Sequence, residues 1–168
     1  MLAVGVLLSS QVLVPAVPPP ASATCKISCT VANIVEWSEI SFPGISLGSL
    51  TAKNKQAVGE TILTLYTNGN VIITADNSNS AELSFGSHTL STKYKLRYDG
   101  FGIRQTGNEP TAWLSFDTFL NKGADIFHVA DDGAVEVILS VSATIKKVSS
   151  ENSGRYKAVQ TLTACWKS

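Results

Sequence analysis

From residue 134 to residue 147 the chain alternates. Val135, Val137, Leu139, Val141, Ala143 and Ile145 share one parity; Glu136, Ser140, Ser142, Thr144 and Lys146 share the other. Successive side chains of a strand point to opposite faces, so this pattern gives an extended ribbon one apolar face that must be covered. A helix would scatter the same residues around its circumference. A segment of this kind excludes a helical bundle and asks for a second apolar layer.

The same period recurs. Residues 91–98 set Lys93, Lys95 and Arg97 against Tyr94, Leu96 and Tyr98. Residues 25–37 place Cys25, Ile27, Cys29, Val31, Val35 and Trp37 on one parity, with Asn33 interrupting the stripe. The runs 61–67 and 71–75 are rich in β-branched residues and flank Asn68-Gly69, which predicts a tight hairpin because both residues accept positive φ. A short strand is expected at 81–85, and a last one over 155–166. Turn signals stand at Pro43-Gly44, residues 76–80, Asp99-Gly100, Asp131-Asp132-Gly133 and Asn152-Ser153-Gly154. Residues 113–120 fit either a strand or a short helix. No run of helical period reaches about 12 residues. The expectation is all-β: an antiparallel β-sandwich, immunoglobulin-like or jelly-roll-like, of about eight to ten strands.

The start of the chain has a different character. Residues 1–23 contain no charged side chain; an apolar run meets Pro18, Pro19 and Pro20 and ends in Ala21-Ser22-Ala23. A small-x-small ending after an apolar core is the form of a secretory signal peptide, although the usual opening Lys or Arg is missing. The prolines shorten the apolar run below the roughly 20 residues needed to span a bilayer. The expected organisation is a leader at 1–23 and a single domain at 24–168, secreted and without a membrane anchor in its mature form.

Cys25, Cys29 and Cys165 all fall in the mature part. In an oxidising compartment two of them are expected to pair. A bridge from Cys25 or Cys29 to Cys165 would tie the first strand to the last, and closing so long a loop contributes about 4–5 kcal/mol in the chain-entropy model. The remaining thiol is then free or joined to a neighbouring molecule.

Composition narrows the partners. The chain has 13 basic and 13 acidic residues, a formal net charge of zero, and only 15% charged residues. That gives no excess positive charge for nucleic acid. The Lys93, Lys95, Arg97 stripe reads as a solvated face or a defended edge.

Catalytic chemistry finds little support. His88 and His128 have no nucleophile motif beside them. Asp131 and Asp132 are neighbours in a turn rather than opposed across a cleft. A Cys-x-x-x-Cys pair without a second ligand pair does not make a zinc site. Calcium at 76–77 or 131–132 lacks the ligand spacing of a known loop, and turn chemistry accounts for those residues. No enzyme activity, metal or cofactor is expected. Trp37, Trp113 and Trp166 are the candidates for stacking on a glycan.

Terminal strands with one clean apolar face also suit joining of subunits by strand addition, for which Ile27, Val31 and Val35 are the candidate side chains. In layout the chain resembles secreted pilin-type sandwiches, including the spore coat protein U and fimbrial adhesin-like groups. The likeness is carried by Ile40-Ser41-Phe42, by the Leu-Tyr-Thr-Asn-Gly-Asn string at 65–70, by Gly154-Arg155-Tyr156 and by the terminal aromatic Trp166. The resemblance implies a structural subunit of an extracellular filament, pilus or coat, self-associating at strand edges, with no catalytic residues. The alternative expectation is a secreted carbohydrate-binding or adhesion module.

Overall fold

A computed structural model describes residues 21–98, 111–127, 133–147 and 153–167. Contacts divide the chain into two units, Met1–Val31 and Ala32–Ser168. In the first, residues 21–31 have no regular secondary structure and are exposed throughout. The leader expected at 1–23 lies almost wholly outside the described residues, as do Asp99, Gly100, His128, Asp131, Asp132 and Asn152.

The second unit is all-β. Ten strands appear among the described residues: β1 (Val35–Trp37), β2 (Gln56–Thr67), β3 (Val71–Ala75), β4 (Ser84–Phe85), β5 (His88–Thr89), β6 (Ser91–Tyr98), β7 (Leu114–Ser115), β8 (Ala124–Ile126), β9 (Ala134–Thr144) and β10 (Leu162–Trp166). Every strand pair among them is antiparallel. The five-stranded sheet runs β1-β2-β9-β6-β7, the three-stranded sheet runs β10-β3-β8, and β4-β5 form a small hairpin. The larger sheets pack face to face as a β-sandwich. Leu65, Tyr94, Leu96, Val137 and Leu139 of one sheet meet Val71, Ile73, Ala124, Ile126 and Leu162 of the other.

The strand with the clearest alternation is the centre of the large sheet. β9 pairs with β2 along its whole length (Ile62 opposite Ile138) and with β6 on its other side (Leu96 opposite Leu139). Its polar parity is not solvated as that alternation suggests: Ser140 and Ser142 are only 4% and 5% exposed. Small hydroxyls at the centre are overlain by longer neighbours. Gln56 Nε2 donates to Ser142 Oγ (3.0 Å), and Arg97 reaches Glu60 across β9 at 2.8 Å.

Three expectations are corrected, and one open segment is resolved. Residues 25–37 do not form one strand: only Val35–Trp37 pairs, with Thr67 to Leu65. The last strand is likewise shorter than 155–166; before Leu162 the described chain makes the isolated bridge Lys157 to Ser84 and separate main-chain bonds, Val159 N–H donating to Ser80 and Thr161 accepting from Asp76 N–H. Asn68-Gly69 does not close a hairpin, because β2 and β3 belong to different sheets, and neither residue has positive φ. Asn68 acts through its side chain, accepting from Ile34 N–H (2.8 Å) and donating to the Ala32 carbonyl (3.0 Å). Gly69 is required for space: a Cβ there would collide with the Trp166 ring. Finally, the ambiguous segment 113–120 is β7 followed by a turn, with buried Leu120 at φ 51°.

Candidate functional site: an open strand edge beside a groove

β2 is longer than the partner on its outer side. β1 covers only Leu65–Thr67, and Ser38 extends the contact by one residue through its N–H to the Thr64 carbonyl (2.8 Å). Thr64 therefore points its peptide groups away from β9. In an antiparallel ladder this orientation alternates residue by residue. The peptide groups of Val58, Glu60 and Ile62 thus also face away from β9, towards an edge with no strand partner among the described residues. Val58 and Ile62 stand on the outer, exposed face of the sheet. Unpaired edges of this kind are where a further strand can add.

The strands of the small sheet have only three to five residues, whereas β2 and β9 have 12 and 11. The inner face of the large sheet therefore runs on past the strands of the small sheet, and loops cover it there: Phe42, Ile45 and Leu47 pack on the core. Thr61, Leu63, Tyr94, Leu139, Val141 and Ala143 are buried beneath and floor a groove of about 1220 Å³. Most of its remaining lining comes from residues 39–52 and 153–161, neither of which contains a strand. Ile45 and Leu47 lie close under Gly59, where a Cβ would sit 2.5 Å from Ile45 Cγ2, so this loop approaches β2 without pairing to it.

The lining is mixed, with Glu39, Arg155 and Lys157 among apolar side chains, and it includes one amide, Gln160. Along 156–164 the more buried parity reads Tyr156, Ala158, Gln160, Leu162, Ala164. Gln160 is thus an amide in an inward-facing stripe. Both its Nε2 and its Oε1 are shielded from solvent and have no hydrogen-bond partner among the described residues. Each such unsatisfied group costs about 1–3 kcal/mol. Nothing in the sequence pattern singles out this residue; its significance comes from where the chain places it.

Two titratable groups with shifted behaviour among the described residues serve the scaffold. Tyr94, buried at the groove floor, donates to the Ala81 carbonyl (2.7 Å), and burial pushes its phenol up to about 12. Asp76 is held below the usual carboxylate range by the Ser78 N–H and hydroxyl, and by Ser80.

The sequence-derived candidates fall in different places. Ile27 and Val31 are 92% and 76% exposed. Val35 is already committed to β1 and packs on the core. Cys25, Cys29 and Cys165 are all free and exposed, so the expected bridge is absent. Its premise, a first strand beside the last, fails: β10 pairs with β3, and Cys25 and Cys29 lie outside any strand.

The tryptophans are dispersed. Trp37 is partly buried and tilted against Phe42 (5.5 Å between ring centroids), Trp166 lies on Gly69, and Trp113 stands beside β7. β1 and β7 are opposite edges of the large sheet, so Trp37 and Trp113 are separated by four strand spacings, roughly 19 Å. They do not make one platform. His88 lies on the β4-β5 hairpin opposite Phe85.

Among the described residues no group of three His, Cys, Asp or Glu side chains is arranged to hold a metal ion, and no helix is long and apolar enough to cross a membrane. No family model matches the chain, and no curated protein matches it.

Proposed function

We propose that the chain is an exported structural protein whose copies join through strand addition, as subunits of an extracellular filament, pilus or surface coat. The observation that carries this reading is the edge at Val58, Glu60 and Ile62, which has no strand partner among the described residues and runs beside the groove. The occupant is the segment at residues 24–34 of a second copy. Among the described residues that segment forms no strand pair, its last residues being held only by the Asn68 side chain, and it carries Ile27 and Val31 on one parity, both exposed. An incoming strand offers main-chain hydrogen bonds to the edge, and its alternate side chains reach the groove. The pilin-type and coat-protein likeness of the sequence points the same way.

Negative-stain microscopy of the purified mature protein tests the proposal. Filaments or ordered sheets are expected, together with ladders on non-reducing gels where exposed thiols of adjoining copies oxidise. A strictly monomeric protein that binds glycans would instead establish the carbohydrate-binding alternative.

A further inference from the structure

Residues 24–30 are complementary to a second copy of themselves. Cys25 and Cys29 are free and exposed, and Ile27 between them is 92% exposed. Residues 21–31 contain no strand. Within one extended segment the two thiols cannot meet. Four residues span about 13 Å, and a disulfide needs Cα atoms no more than about 7 Å apart.

Against a second copy they can meet. In an antiparallel pair centred on Ile27, Thr24 faces Thr30 of the second copy, Cys25 faces Cys29, Lys26 faces Ser28 and Ile27 faces its counterpart. Threonine pairs and β-branched pairs are favourable across strands, and no lysine opposes a lysine. Directly opposed Cα atoms lie about 4.5–5.5 Å apart, within the range a disulfide spans. Centring on Cys25 or on Cys29 instead opposes one pair of thiols and leaves the others facing Ala21 or Asn33. A parallel pair in register also matches the thiols, but it sets Lys26 beside Lys26, which repel.

We propose that the 24–30 segments of two copies pair antiparallel about a two-fold axis at Ile27 and are locked by two Cys25–Cys29 disulfides. Each bond forms by exchange with a small-molecule disulfide such as oxidised glutathione. One cysteine thiolate breaks the S–S bond of the oxidant, and the opposed cysteine then displaces the half that remains attached. The two cysteines lose two protons and two electrons, which leave as two reduced thiols. The inference goes beyond strand addition and stands apart from it. A strand has two hydrogen-bonding edges, so the edge that does not serve β2 of an acceptor is left for the counterpart segment. Such cystine pairs would join two polymers side by side.

The test uses the mature chain carrying Cys165→Ser, equilibrated in a glutathione redox buffer and run on non-reducing gels. A covalent dimer is expected, with Cys25 linked to Cys29 in peptide maps by mass spectrometry. Cys25→Ser alone or Cys29→Ser alone should lose the dimer, because each remaining thiol then faces a serine. Mixing the two variants should restore it through the one bridge they can form. Like-with-like linkages, or as much dimer from either variant alone as from the mixture, would overturn the proposal. So would a chain that stays monomeric under these conditions. Ile62→Pro separates this pairing from strand addition: it should stop polymers and leave the covalent dimer. Polymers without that dimer would overturn the cystine pairing alone.

Discussion

Gly69 and Tyr94 show how single residues hold this sandwich together. Gly69 lies flat under the Trp166 ring, so Gly69→Ala must displace a large side chain or the backbone. The expected loss is about 1–3 kcal/mol, read as a lower urea midpoint with altered tryptophan emission. Tyr94 gives the fold an alkaline limit. Its folded pKa, about 12, lies above the ordinary value of 10.0. The folded state therefore holds this proton more tightly than the unfolded one does. That contribution is complete below about pH 10 and is lost as pH rises from there through about 12. Unfolding at alkaline pH should accompany ionisation of a late-titrating tyrosine, followed by its absorbance. Tyr94→Phe should remove that pH dependence while lowering stability near neutrality by about 1 kcal/mol, as the Ala81 carbonyl loses its donor.

At the scale of elements, the edge of β2 has a specific vulnerability. Ile62 directs its N–H away from β9, so Ile62→Pro removes no ladder hydrogen bond from the isolated subunit. It should melt within a few degrees of the parent yet fail to assemble, as measured by sedimentation and microscopy. An unchanged polymer would mean that copies join elsewhere. This edge also marks the boundary of what the sequence makes legible. The strands β6 and β9 can be read from their alternation alone, because burial of one face imposes period two. The fates of Asn68-Gly69 and of residues 25–34 cannot. A local turn signal does not say whether the flanking strands share a sheet, and an amphipathic stripe does not say whether its cover lies in the same molecule. Likewise, Gln160 resembles any polar residue near a chain end until the topology turns it inward. The cysteine spacing misleads for the same reason, since pairing depends on which strands become neighbours.

At the scale of the whole molecule, the proposed donor segment and acceptor edge are separate parts of one chain, so strand addition, if it joins copies, can be abolished without a folding defect. Ile27→Asp with Val31→Asp touches two exposed side chains. Polymer formation should be abolished and the melting temperature unchanged within about 2 °C, by calorimetry alongside microscopy. Mixing this double variant with Ile62→Pro should yield pairs at most, because one retains only the edge and the other only the segment. There is also a temporal consequence of the long β2–β9 ladder, which joins residues 56–66 to residues 134–144. During synthesis β2 emerges long before its central neighbour, and ribbons waiting on such distant mates mature slowly. In that interval the flank that β9 will take is bare, and on the other β1 covers only Leu65–Thr67. A nascent chain in a crowd of its siblings is therefore most liable to premature coupling then, and an escort that shields β2 until β9 arrives would raise the yield of usable subunits.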